Sequence, residues 1–302
     1  MIVLNNDKEL IRIENWADVE ARPGFTKDLD PKSHELASII GRYAFADRIR
    51  CGLSNCHTPH AKGYIVTTKD GRETNIGKDC GKNYFGVDFE TMSRKFDQDI
   101  TDKENRERLW SLFFRLDEVK LQIQAARTAP NGADWVFHTS RALVESGRAV
   151  PNELVRRLAV MVKTRQNVIA VEREATEQEV ERMEAERGRK LPRPQYIEEP
   201  IAQINGMEAL FPENDLRQLL VIDLEEELRA FEELKIETLS SSDLRRWNKW
   251  AGGIEATMER AALAVEAGRR LLRHENLLPL VQLLRDKEQA SRMKRFVESL
   301  TR

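Results

Sequence analysis

Every cysteine of this 302-residue chain, Cys51, Cys56 and Cys80, lies in one thirty-residue window that also holds His57 and His60. Thiolates and imidazoles gathered in this way are the ligand set of tetrahedral zinc. A closed shell of four such ligands supplies folding free energy to a small domain with little core of its own, so the cluster dictates how its surroundings must fold. Two other arrangements of the same residues are possible in principle. Three reduced cysteines can serve as small buried apolar side chains, and a disulfide can form, although an odd count leaves one thiol over.

The chain around the window has its own local logic. In Cys51-Gly52-Leu53-Ser54-Asn55-Cys56-His57-Thr58-Pro59-His60, Gly52 permits a tight turn that directs two sulfurs toward one ion, a zinc knuckle. Gly63-Tyr64-Ile65-Val66-Thr67-Thr68 is rich in β-branched and aromatic residues, Lys69-Asp70-Gly71 is turn chemistry, and Arg72-Glu73-Thr74-Asn75-Ile76-Gly77 can return as a second strand. Lys78-Asp79-Cys80-Gly81 then reads as a first helical turn, with Gly86 as a natural stop. Cys80 reaches back from that turn to the knuckle.

Knuckle, hairpin and short helix in this order resemble a treble-clef zinc finger. The run Ile76-Gly77-x-x-Cys80-Gly81 with Phe85 is similar to small zinc modules of uncharacterised bacterial and phage proteins, over residues 48–88. Treble clefs usually draw two ligands from the helix, whereas this chain offers only Cys80 there. The fourth ligand must then be His60 or His57, and His60 is preferred because a residue bonded next to Cys56 is harder to aim at the same ion. The expected metal set is Cys51, Cys56, His60 and Cys80, with Zn²⁺ in a structural role: a Cys3His shell leaves no open position for water or substrate.

Catalytic readings of the same window fail on spacing. Nucleobase deaminases need His-x-Glu followed by Pro-Cys-x-x-Cys, and His34-Glu35 lacks the completion His-Glu-x-x-His of a metalloprotease. HNH nucleases need a histidine on the hairpin, and residues 63–77 contain none. The glycines and lysine from Gly71 to Lys78 have the wrong spacing for a phosphate loop, and Asp79 stands where Ser or Thr is required. No Ser/His/Asp set or glycine-rich cofactor loop occurs elsewhere, so an enzyme ranks behind the non-catalytic readings.

The formal net charge is −2, yet the sign is uneven: residues 42–86 carry eight cations against four carboxylates, a local +4 against −6 for the remainder. A basic module of this kind can contact phosphates without reading sequence. The candidate contacts are Arg50, Lys62, Lys69, Arg72, Lys78 and Lys82; an ordinary solvated face is the alternative. Arg245-Arg246-Trp247-Asn248-Lys249-Trp250 is a second basic-aromatic run, but Trp247 starts an apolar stripe and belongs to a core. No apolar run reaches membrane-spanning length and no secretion signal is legible, so a cytoplasmic protein is expected.

The overall expectation is a mainly α protein: a small N-terminal α+β zinc-binding domain followed by elongated helical bundle or coiled-coil regions. Residues 1–90 form the zinc domain, with strands at Ile2-Val3-Leu4 and Leu10-Ile11-Arg12-Ile13 and a helix from Ser33 over Leu36, Ile39 and Ile40. Residues 91–190 form long helices. One of them runs over residues 102–127 and is covered on two sides, by a stripe through Leu109, Leu116 and Ile123 and another through Trp110, Phe114 and Leu121. A second opens at Pro151-Asn152-Glu153 and continues to Gly188, heptad-patterned at first (Val155, Val162, Ile169) and then, over 172–190, a charged arm projecting into solvent. Residues 191–199 form a proline-rich linker at Leu191-Pro192-Arg193-Pro194, and residues 200–302 a C-terminal helical bundle.

Two functional readings follow. In the first, the chain is a non-catalytic accessory protein that binds DNA or RNA through the basic zinc module, its helices providing spacing or homo-oligomerisation. In the second, it is a protein-binding adaptor or inhibitor, of the phage type the resemblance suggests, in which zinc only folds the small domain. The partner is accordingly nucleic acid or another protein.

Overall fold

The computed structural model of the protein describes residues 1–5 and 9–300. It is mainly helical, with a five-stranded antiparallel sheet near the N-terminus and a separate two-stranded sheet. The chain divides into two compact units, Met1–Leu112 with Lys235–Lys249, and Phe113–Leu234 with Trp250–Arg302.

The first unit is built on a sheet of order β2-β1-β3-β4-β5, with β1 Ile2–Asn5, β2 Leu10–Ile13, β3 Leu36–Arg50, β4 Pro59–Thr68 and β5 Glu73–Ile76. The expected β1–β2 pairing is present, Ile2 facing Ile13 and Asn5 facing Leu10; its turn lies outside the described residues. The helix expected from Ser33 is not formed. Leu36, Ile39 and Ile40 instead belong to the fifteen-residue strand β3, whose spacing mimics a helix because two register irregularities interrupt the period of two, between Leu36 and Ser38 and between Ile39 and Gly41. A short helix α1, Trp16–Glu20, covers one face of the sheet, where Ile2, Leu4, Val19, Tyr43 and Ile65 are buried. The other face buries Val3, Ile39, Tyr64 and Val66 against Phe89, Phe96 and Ile100 of helix α2, Lys78–Phe113.

Helix α2 contains a non-helical residue, Gly86, at φ 64° and ψ −144°. A side chain is strained in that conformation, so glycine at the predicted stop ends a first segment, and a second segment continues immediately in a new direction. This is why the module does not close near residue 90. The second segment buries Phe89, Phe96, Ile100 and Leu109. The segment Lys235–Lys249 returns to the same unit, where Asn248 donates to the Asn105 carbonyl and Ser241 bonds the Asp102 carboxylate.

The second unit starts with α3 Leu116–Thr128, α4 Ala133–Val144 and α5 Asn152–Thr164. The single helix expected over 102–127 is thus two, broken after Phe113. The second of its two stripes is covered only in part: Trp110 is half-buried and donates to Glu237, whereas Phe114 is 80% and Leu121 65% exposed. The long helix expected from Asn152 to Gly188 also breaks. Arg165 caps α5 in the left-handed conformation, and the β-branched run that follows becomes β6 Val168–Glu174. Only then does α6 Glu177–Arg187 form, opened by a reciprocal capping box between Thr176 and Glu179 and closed by Gly188 at φ 63°. β6 pairs antiparallel with β7 Tyr196–Gln203.

Residues 191–199 are therefore not a spacer between domains. Leu191 is buried, its N–H donates to Glu184, and Arg193 bonds both Glu184 and Glu177, so the prolines sit in a packed return from α6 to β7. Beyond it, Leu216, Leu220, Leu224, Leu228 and Phe231 are all buried. A repeat of four runs ahead of the 3.6-residue α-turn, and Arg217–Glu226 is correspondingly a wider π-helix before α7 Glu227–Glu232. α8 Ser241–Ala251, α9 Ile254–Leu271, α10 His274–Leu277 and α11 Lys287–Ser299 complete the described chain. Leu143, Leu154, Leu158, Ile169, Leu271, Leu277 and Phe296 share the main core of this unit. Among the described residues no helix is long and apolar enough to cross a membrane.

Candidate metal centre

The strand topology explains why four residues spread over thirty positions meet. β3 ends at Arg50, which pairs with Pro59 at the start of β4; Tyr64 further along β4 pairs with Ile76 at the end of β5; and α2 starts two residues later. One end of the sheet therefore receives Cys51 just after β3, His60 near the start of β4, and Cys80 in the opening turn of α2. Cys56 is contributed by the loop between β3 and β4.

The loop is held as a knuckle by backbone bonds. The Cys51 N–H donates to Thr58 O at 3.0 Å and the Cys56 N–H to Leu53 O at 3.1 Å. Gly52 lies on the buried end of β5: its N–H donates to Asn75 O at 2.8 Å, and its carbonyl accepts from Leu29 N–H and the Thr74 hydroxyl. A Cβ at Gly52 would fall 2.1 Å from Thr74 Oγ1, so the glycine is required for this close approach; its backbone is not left-handed, and the turn expected of it is not what demands glycine. Asn75, almost fully buried, donates to the Arg50 carbonyl at 2.8 Å and fixes the strand end from which Cys51 departs.

The four ligand atoms of Cys51, Cys56, His60 and Cys80 all lie within 4.8 Å of one another. Cys56 Sγ is 3.2 Å from Cys80 Sγ, and His60 Nε2 is 3.1 Å from Cys80 Sγ. A tetrahedral zinc with bonds of about 2.3 Å to sulfur and about 2.0–2.1 Å to nitrogen sets three sulfurs and one nitrogen roughly 3.5–3.8 Å apart, so the set is close enough to hold such an ion after small side-chain adjustments.

Burial sets the protonation of the cluster. Burial pushes the Cys80 thiol up to about 12, and the neighbouring sulfurs add to the effect. Burial likewise raises Cys51. Burial acts against the Cys56 thiolate too, yet hydrogen bonding with Thr58 leaves Cys56 lowered overall. His60 is lowered by burial and so is held as the neutral imidazole that a metal requires. Three sulfurs packed this closely cannot all carry charge by themselves; a dication reverses that balance.

Of the two histidines, the geometry brings His60 into the cluster. His57 has a left-handed backbone (φ 58°), with Nδ1 3.4 Å from Cys51 O and Nε2 3.4 Å from the Asp28 carboxylate. It lies outside the cluster that contains His60. Gly77, met in the sequence only as part of the run Ile76-Gly77-x-x-Cys80-Gly81, has a steric role that the sequence does not show: a Cβ there would stand 2.5–2.6 Å from three atoms of the His60 ring, so glycine makes room for the imidazole.

The six candidate phosphate contacts divide into two groups. Lys69 is paired with Glu35, Arg72 lies 3.3 Å from Asp70, and Lys82 lies 3.0 Å from Glu90. Arg50, Lys62 and Lys78 are exposed, and among the described residues no carboxylate forms an ion pair with them. In the second basic-aromatic run Trp247 is 3% exposed, with the Arg246 guanidinium over its ring, and Trp250 donates to the Asp223 carbonyl; these indoles are packed, not displayed.

Comparison with protein families, curated proteins and solved structures finds no match to this chain.

Proposed function

We propose that the four-residue cluster holds one structural Zn²⁺ in a treble-clef-like module, and that this module contacts nucleic-acid phosphates through Arg50, Lys62 and Lys78. The observation that supports the contact is the presence of three exposed cations without acidic partners beside the metal ligands, on a protein whose overall charge is −2. Cations left unneutralised in an otherwise acidic chain are what phosphate recognition needs, and each phosphate neutralised adds salt-dependent affinity. Zinc in this reading fixes the spacing of the cations. It performs no chemistry, because three sulfurs and one nitrogen complete its shell.

The test is binding to a fluorescent single-stranded oligonucleotide across a salt series. Replacing Arg50, Lys62 and Lys78 together with glutamine is expected to lower the slope of log K against log salt by roughly 2–3, from about 0.7–0.9 per phosphate contact. Lys69→Gln, which removes a cation already held by Glu35, is expected to leave the slope unchanged. Absence of wild-type binding at low salt, or equal effects of the two variants, overturns the reading.

A protein-binding adaptor is the second reading. The charged arm expected over 172–190 is replaced by the β6–α6–β7 unit, but Val87, 73% exposed, and Tyr84 flank the Gly86 kink beside the metal module and provide an apolar spot for a partner. Loss of capture of a defined partner on Val87→Asp, with zinc content intact, is the outcome this reading requires.

A further inference from the structure

A groove of about 440 Å³ opens on the first unit, at the edge of the sheet face that α2 covers. Its floor is Val3, Ala44 and Tyr64, one wall is formed by Lys62 and Lys78, and the other by Arg42, Asp97 and Glu104. Lys78 and Asp97, nineteen positions apart on α2, line the same groove because the helix changes direction at Gly86.

The two walls differ in chemistry. Tyr64 and Ile76 form the last pair of the β4–β5 ladder; Lys62 lies two residues before Tyr64 on β4 and Lys78 opens α2, and both line the groove. Like charges brought to one cavity repel, and among the described residues no carboxylate forms an ion pair with either lysine. On the other wall Arg42 bonds both carboxylate oxygens of Glu104, at 3.0 and 3.1 Å, and the Tyr64 hydroxyl donates to Asp97 Oδ2 at 2.6 Å. These bonds fix the carboxylates in place but use only part of their accepting capacity, since each carboxylate offers about four lone-pair sites. Asp97 Oδ1 lies 3.8 Å from Arg42, beyond a hydrogen bond.

A ligand that satisfies this groove carries a compact dianion for the lysine pair and hydroxyl donors for the carboxylate wall, over an apolar floor. The volume lies within the range of small-molecule sites, about 300–1,000 Å³. We infer that the groove binds a hydroxylated phosphate ester, a sugar phosphate or nucleotide, with the phosphate between Lys62 and Lys78 and the sugar hydroxyls on Asp97 and Glu104. This rests on the phosphate-contact reading above and extends it by placing one phosphate and its sugar in a defined cavity.

Calorimetric titration of the zinc-loaded full chain at low salt, with ribose 5-phosphate, adenosine 5′-monophosphate, adenosine and inorganic phosphate, tests the inference. Both esters are expected to bind at least tenfold more tightly than adenosine or inorganic phosphate. Equal binding of the two esters identifies a sugar-phosphate site, and tighter binding of the nucleotide shows that the base contributes. The pair Lys62→Gln and Lys78→Gln is expected to abolish ester binding with zinc content unchanged and no loss of melting temperature, while Lys69→Gln, at a lysine paired with Glu35 and outside the groove, preserves it.

Inorganic phosphate binding as tightly as the esters removes the carboxylate wall from the account and overturns the inference. So does ester binding that survives loss of both lysines. No binding of either ester, together with oligonucleotide binding that depends on the lysines, overturns the groove and leaves the surface reading standing; failure of both removes the two together.

Discussion

Gly77→Ala separates a metal centre from a chance meeting of four side chains. The added Cβ would lie 2.5 Å from Cε1 and 2.6 Å from both Cδ2 and Nδ1 of His60. Carbon contacts settle at about 3.5–4.0 Å, so the ring or the backbone must retreat by roughly 1 Å. A zinc–nitrogen bond tolerates only about 0.2 Å. If the ring moves, the cost of overpacking, about 1–3 kcal/mol, falls on coordination. At about 1.4 kcal/mol per tenfold this weakens zinc binding by roughly fivefold to somewhat over a hundredfold.

Competition against a chromophoric zinc chelator reads the affinity, and Gly71→Ala is the control. Gly71 has φ +83°, and a Cβ there would meet only open space, so alanine is strained by its backbone alone, by about 1–2 kcal/mol. That strain is expected to lower the melting temperature without changing zinc affinity. Wild-type zinc affinity in Gly77→Ala, with unaltered melting, refutes the placement of His60 in the shell.

Three further outcomes follow from the packing and the charges. Trp247→Ala, at a 3% exposed position, is expected to destabilise the protein by about 3–5 kcal/mol while leaving oligonucleotide affinity unchanged in the folded fraction; a selective loss of binding shows that this indole stacks on bases instead. Glu179 is held down to about 2 by bonds from Arg173 and the Thr176 cap. Its folded-state value is depressed, so its contribution to α6 is present above the ordinary glutamate range and is lost as the pH falls through about 2; amide exchange in α6 is expected to quicken across that acid window in wild type and to show no such step in Glu179→Gln. Asn75→Ala removes the donor to Arg50 O and leaves a buried acceptor unsatisfied, and is expected to cost about 1–3 kcal/mol, measured by urea denaturation.

The cluster of Cys51, Cys56, His60 and Cys80 was legible because its chemistry is carried by residue type and local spacing, and the β4–β5 hairpin because Tyr64-Ile65-Val66 and Thr74-Asn75-Ile76 flank the turn chemistry of Asp70-Gly71. The longer-range structure was less so. Leu36, Ile39 and Ile40 fit a helical stripe as well as an irregular strand, and the choice is made by β4, to which β3 pairs along most of its length. The heptad Val155, Val162, Ile169 carries straight through Arg165, whose left-handed cap has no mark in the sequence beyond the Val168-Ile169-Ala170-Val171 run after it. Alternating Glu and Arg at 172–174 read as helical i, i+4 pairing, whereas Arg173 bonds Glu199 across the ladder and Glu179 beyond it. The charge of the module was visible as a count; which cations are free depends on Glu35, Asp70 and Glu90, two of which lie outside the basic stretch.

The most direct measurement is zinc content of the purified full chain by elemental analysis, with X-ray absorption at the zinc edge to count neighbours. The account predicts one zinc per chain, bound by three sulfurs at about 2.3 Å and one nitrogen at about 2.0–2.1 Å, and loss of that zinc in Cys80→Ser. A chain folded without stoichiometric metal, or a shell with fewer than three sulfurs, contradicts it.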